Sequence, residues 1–144
     1  MGGKEVFFED VNVGDKITEL VTKPLAEIQF VMYAGASGDF NPIHSVHAFG
    51  EKAGFGGVIG HGMLSMGFVG QALTDWLGHK ALKKFGVDFR AVTKPKDIIT
   101  VTGTISNKYT KDEENCIDID LVAQNQKGEK VVTGNAMAAL PSRS

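Results

Sequence analysis

Apolar spacing organises the first half of the chain. From Leu25, apolar residues recur at Ile28, Val31, Met32 and Gly35, which predicts a helix. Pro24 suits the first turn of that helix, and Gly38 can take the left-handed conformation that closes it. Upstream, Lys16-Ile17-Thr18-Glu19-Leu20-Val21-Thr22 follows a Val-Gly-Asp turn with period-two alternation, predicting a strand flanked by Ile17 and Val21. Downstream, Asn41-Pro42 forbids helical continuation, because proline pushes its predecessor towards extended geometry. Residues 39–60 therefore read as loop with a short helical turn. A second helix, over about 62–77, carries Met63, Leu64, Met66, Phe68, Val69, Leu73, Trp76 and Leu77 on nearly every face. A helix apolar all round is normally enclosed on most sides. Gly67, Gly70 and Ala72 would let a neighbouring backbone come close.

The second half reads as strands at 85–91, 98–106, 116–124 and 130–140, joined by turn-like segments such as Lys111-Asp112-Glu113-Glu114-Asn115. Helices first and antiparallel strands afterwards argue an α+β fold. Four or five strands curling around the one all-apolar helix would satisfy both patterns.

Composition narrows the classes. With 144 residues the chain is the size of one domain, taken as residues 1–144. Area scaling gives a folded surface of about 7,200 Å², so a core is affordable without disulfide or metal staples. A net charge of −2 supplies no basic field for nucleic acid. The lone Cys116 cannot pair internally, which fits a reducing, cytoplasmic setting. Met1 to Val6 shows no apolar targeting segment, and the membrane-like run 58–73 is too short to span and contains His61, Ser65 and Gln71. No membrane association is expected.

Chemistry concentrates in Ser37-Gly38-Asp39-Phe40-Asn41-Pro42-Ile43-His44. It sets a carboxylate and an imidazole five residues apart on a stiff turn, able to aim at one water. Spacing alone favours a locally capping Asp39 and a solvent-facing His44, since Asp and Asn are common turn residues for local reasons. Gly60-His61-Gly62 opens the second helix, and Gly62 offers an unpaired N–H there that could hold an oxyanion, or simply permits a tight entry. His44, His47, His61 and Asp39 could be assembled into a metal site, but no paired-cysteine or HExxH spacing supports one, so surface or supporting roles suit His47 and His61 better. No nucleotide-binding GxGxxG and no GxSxG elbow is present.

The run from Tyr33 to His44, followed by Gly60-His61-Gly62-Met63-Leu64, closely resembles the MaoC-like family of (R)-specific enoyl-CoA hydratases and (3R)-hydroxyacyl-ACP dehydratases. The likeness covers most of the chain. It implies a hot-dog fold, an antiparallel sheet wrapped around one long helix, usually as a homodimer. It also implies Asp39 and His44 as a catalytic dyad and Gly62 as the glycine whose N–H holds the thioester carbonyl. Asn41 is the motif asparagine, placed with the substrate-binding residues as a turn-holder. The implied reaction adds water reversibly to a trans-2-enoyl thioester of CoA or acyl carrier protein, with no metal or redox cofactor. Two departures stand out: Val46 where many members have Asp, and Gly70 where some have a serine. The basic run Arg90, Lys94, Lys96 is expected to meet CoA phosphates, or else is a solvated turn. The alternatives are a non-catalytic acyl-thioester-binding protein or accessory subunit and, further off, a metal-dependent hydrolase.

Overall fold

The computed structural model describes residues 5–144; Met1 to Lys4, where a targeting signal was sought, lie outside them. Five strands form one antiparallel sheet: β1 Leu20–Val21, β2 Leu82–Phe89, β3 Thr100–Lys111, β4 Glu114–Gln124 and β5 Lys130–Ala139. Their order across the sheet is β1-β3-β4-β5-β2. The helices are α1 Glu27–Ser37, α2 His47–Lys52 and α3 Gly62–Leu77, with 3-10 turns at Phe8–Asp10 and Pro42–His44. Helix α3 touches all five strands, which is the expected hot-dog arrangement.

Register explains the core. Val101 pairs Ala123, which pairs Val132; Ile105 pairs Ile119, which pairs Ala136. Each row puts buried aliphatic side chains on one face of the sheet. Against them lie Phe68, Val69, Ala72 and Leu73 from α3, all buried. The β3–β4 hairpin turns through Asp112 and Glu113, whose φ values of 50° and 66° are both positive, as a two-residue primed turn demands.

Several expectations need correction. Pro24 lies outside α1, whose N-cap is Ala26. The stripe Ile28, Val31, Met32 is exposed, and α1 buries Phe30 and Ala34 instead. Both faces of α1 are apolar, so spacing could not say which one the chain covers. The strand foreseen at 16–22 shrinks to β1 and an isolated bridge from Lys16 to Thr104, leaving Ile17 buried and Val21 exposed. Helix α3 keeps its predicted bounds, but Met63 is exposed, so this single chain does not enclose it on every side. No backbone approaches its glycines: Gly70 faces the Phe85 ring and Gly67 open space. Gly38 does close α1, at φ 78°, with its N–H donating to the Ala34 carbonyl. No helix among the described residues is long and apolar enough to cross a membrane.

Candidate active site

The site is built where the turn after α1 meets the N-terminus of α3. Proline at 42 and the Asn41 side chain start the 3-10 turn: Asn41 Oδ1 accepts the Ile43 N–H at 3.2 Å. One residue earlier, Asp39 Oδ1 accepts the Asn41 N–H at 3.3 Å, which steadies the carboxylate. Its other oxygen lies 3.8 Å from His44 Nε2. The sequence therefore folds Asp39 and His44 onto one point, and Asn41 holds the turn between them.

His44 is buried, which overturns the solvent-facing alternative. Its Nδ1–H donates to the Ile59 carbonyl at 2.8 Å, so the neutral ring keeps its lone pair on Nε2, facing Asp39. The Ile59 N–H in turn donates to the Ile43 carbonyl. This clasp fixes both position and tautomer.

Of the surface or supporting roles expected for His61, the structure shows the supporting one. His61 is 1 % exposed, stacks on His44 with ring centroids 3.8 Å apart, and meets the Tyr33 ring edge-on. Its Nε2–H donates to the Asp39 carbonyl at 3.2 Å, while Nδ1 is buried without a partner among the described residues. Burial holds its pKa below the ordinary histidine value, and the neighbouring His44 adds to that; the Asp39 carbonyl pulls the other way. His61 is thus a neutral wall behind His44. His47 does stay on the surface, paired with Glu27 at 2.9 Å.

Asp39, His44 and His61 bring ligand atoms within 4.8 Å of one another. The geometry is poor for a cation. The two imidazoles are stacked at 23°, so their lone pairs lie in nearly parallel planes 3.8 Å apart at the centroids and cannot converge on one point in both planes, and each ring already donates one N–H to a carbonyl.

A cavity of about 300 Å³ opens beside His44, lined also by Ile59, Gly60, Gly62, Ser65 and the segment 89–93. Gly62 is the first residue of α3, so its N–H has no intrahelical acceptor and carries the positive end of the helix dipole. Gly60 has no room for a side chain: a Cβ there would sit 2.2 Å from Thr93 Oγ1 and 3.1 Å from the Phe30 ring. Arg90 reaches this cavity and donates to Thr133 Oγ1 at 2.9 Å. Lys94 and Lys96 do not line it; they sit exposed on the following turn. Ser65 and Thr93, both buried in the lining, and the flanking Phe89 were not anticipated. Single hydroxyls carry no pattern that would single them out.

Residues 9–127 match the family model for the MaoC like domain. The chain belongs to the MaoC-like family. This MaoC-like chain is 28% identical over 144 residues to an (R)-specific enoyl-CoA hydratase of Rhodospirillum rubrum, covering 95% of this chain and 93% of that one. It is 32% identical over 98 residues to a 3-hydroxybutyryl-CoA dehydratase of Methylorubrum extorquens, covering 67% and 61% of the two chains. Among solved structures, the R-hydratase PhaJ1 from Pseudomonas aeruginosa superposes with a TM-score of 0.85 at 26% identity, over 96% of this MaoC-like chain and 88% of its own.

Proposed function

We propose that the protein is an (R)-specific hydratase/dehydratase that interconverts trans-2-enoyl and (3R)-3-hydroxyacyl thioesters. The observation that carries the reading is the 3.8 Å approach of Asp39 to a His44 whose tautomer is fixed, beside a cavity that Gly62 shares. In the neutral ring Nε2 accepts, and so does an ionised carboxylate. A water roughly 2.8 Å from both fits at the apex between them and donates one hydrogen to each. Its lone pairs then face outwards, which is the orientation of a nucleophile.

Attack at C3 sends the C2=C3 pair towards the thioester carbonyl, and negative charge gathers on its oxygen. The Gly62 N–H and the helix dipole stabilise that charge. The proton taken from water by the dyad is delivered to C2, the carbonyl reforms, and the dyad regains its starting protonation. Elimination retraces these steps. The relatives named as a hydratase and a dehydratase support this reading. Arg90, at the cavity, and Lys94 and Lys96, further along the same segment, would meet the phosphates of a CoA substrate.

The protein works as a homodimer in a cytoplasmic setting on this reading. Crotonyl-CoA tests it directly: the enoyl-thioester absorbance falls while no free thiol appears. Thiol release would mean a thioesterase, and no change with crotonyl or longer enoyl thioesters would leave an acyl-thioester-binding or accessory protein. If charge reversal at Lys94 and Lys96 together left KM for a CoA substrate unchanged, the phosphate placement would be wrong.

A further inference from the structure

Ser65 lies three residues beyond Gly62 in α3, so the two share a helix face. Side chains on a helix lean towards its N-terminus, which carries the Ser65 hydroxyl back over the Gly62 end. The residue is only 4 % exposed, yet it lines the cavity that His44 and Gly62 also line. Its hydroxyl makes no hydrogen bond among the described residues. Helical serines commonly return their hydroxyl to the carbonyl four residues back. Here that carbonyl, on His61, takes the N–H groups of Leu64 and Ser65 instead. Its oxygen is not sealed into the core, so the hydroxyl is open to the cavity where substrate would sit.

We propose that Ser65 is a second donor to the thioester oxygen, alongside the Gly62 N–H. This rests on the hydratase reading given above. As water attacks C3 and the C2=C3 pair moves to form the C1–C2 double bond, the carbonyl pair moves onto oxygen. That oxygen accepts from the Gly62 N–H and the Ser65 O–H together. Ser65 keeps its proton throughout; the proton that arrives at C2 comes from the water by way of the dyad. Both donor atoms are held on one rigid helix, and the unpartnered Ser65 hydroxyl has only to turn about its Cβ–Oγ bond to donate as the charge forms.

The test replaces the hydroxyl and reads both rate and carbonyl polarisation. Ser65→Ala should lower kcat and kcat/KM for crotonyl-CoA about a hundredfold, with KM little changed, as expected for a donor engaged mainly in the transition state. Butyryl-CoA has the same carbonyl but no double bond to hydrate, so its infrared carbonyl stretch can be followed on the enzyme. The bound stretch should lie at lower wavenumber in wild type than in Ser65→Ala, with Ser65→Cys between them. Ser65→Cys also stands in should the alanine variant fold poorly. A kcat for Ser65→Ala within twofold of wild type, or a carbonyl stretch identical in all three proteins, would overturn the proposal. Wild type unable to hydrate any enoyl thioester would instead defeat the hydratase reading, and the infrared comparison would still decide the Ser65 contact.

Discussion

Asp39 and His44 differ in burial, and that difference separates their roles experimentally. Asp39 is half exposed and braced by a single backbone N–H, whereas His44 is buried and donates to the Ile59 carbonyl. Asp39→Asn should therefore lower kcat by about 10²–10⁴ and leave the thermal midpoint nearly unchanged. His44→Ala should lose activity to a similar degree and also destabilise the fold by about 1–3 kcal/mol, because the Ile59 carbonyl loses its donor. If both groups act on one water, as proposed, the double variant should be scarcely slower than the slower single one. Steady-state kinetics and melting curves on the three variants check this; a His44→Ala protein with near wild-type turnover would refute the mechanism. His61 supplies a pH signature. Its folded pKa is depressed, so below about pH 6.5 the unfolded chain takes up a proton that the native ring resists. Its contribution is full above that value and is lost as pH falls towards the folded pKa. Melting midpoints should drop between pH 7.5 and 5.5, and the drop should be smaller in His61→Asn. The pair Asp39 and His44 was legible as a motif, but the His44 tautomer, the stacked His61 and the hydroxyls of Ser65 and Thr93 depend on contacts between segments far apart in the chain, such as His44 with Ile59 and Gly60 with Thr93. Local pattern holds no record of them.

At the scale of elements, legibility followed how strongly one face was marked. Strands β3, β4 and β5 alternate cleanly or are rich in β-branched residues, and α3 begins at a glycine and ends at Gly78, so their positions could be read. Helix α1 was located, but its buried face was misassigned, because Phe30 and Ala34 compete with an equally apolar exposed stripe. The six-residue α2 is too short for any periodicity to show. The β3–β4 turn gives a prediction at this scale. Two L-residues with φ of 50° and 66° occupy a turn that favours Asn-Gly. Asp112→Asn with Glu113→Gly should stabilise the protein by about 1 kcal/mol, seen as a higher urea midpoint with unchanged slope. A lower midpoint would mean that the turn is held by its side chains.

For the whole molecule, the surface is the informative quantity. The accessible area is 8438 Å², larger than the roughly 7,200 Å² expected for a monomer of this mass. The excess includes apolar groups, among them Ile28, Met32, Phe49, Met63 and Phe89. One edge of the sheet is blunted by the two-residue β1, but the other is the eight-residue β2, paired only with β5. A long unpaired edge beside exposed apolar side chains favours pairing with a second copy about a twofold axis. Light scattering should give twice the chain mass of 15.4 kDa, and a single-chain mass at high concentration would rule the pairing out.

The clasp at Ile59 and Gly60 ties three distant parts of the chain through two consecutive residues. Ile59 is bonded to Ile43 and His44 of the turn after α1, and the Gly60 N–H donates to the Thr93 carbonyl beyond β2. Opening this segment would release the turn, the entry to α3 and the 89–93 wall together, so the site has no route to loosen by degrees. Cooperativity then extends from the core into the chemistry. In a denaturant titration, loss of turnover should coincide with the fluorescence change of Trp76, and the Ile59 and Gly60 amides should exchange with deuterium as slowly as those of β4. Activity lost well before the fluorescence transition would show the site to be a separately melting unit.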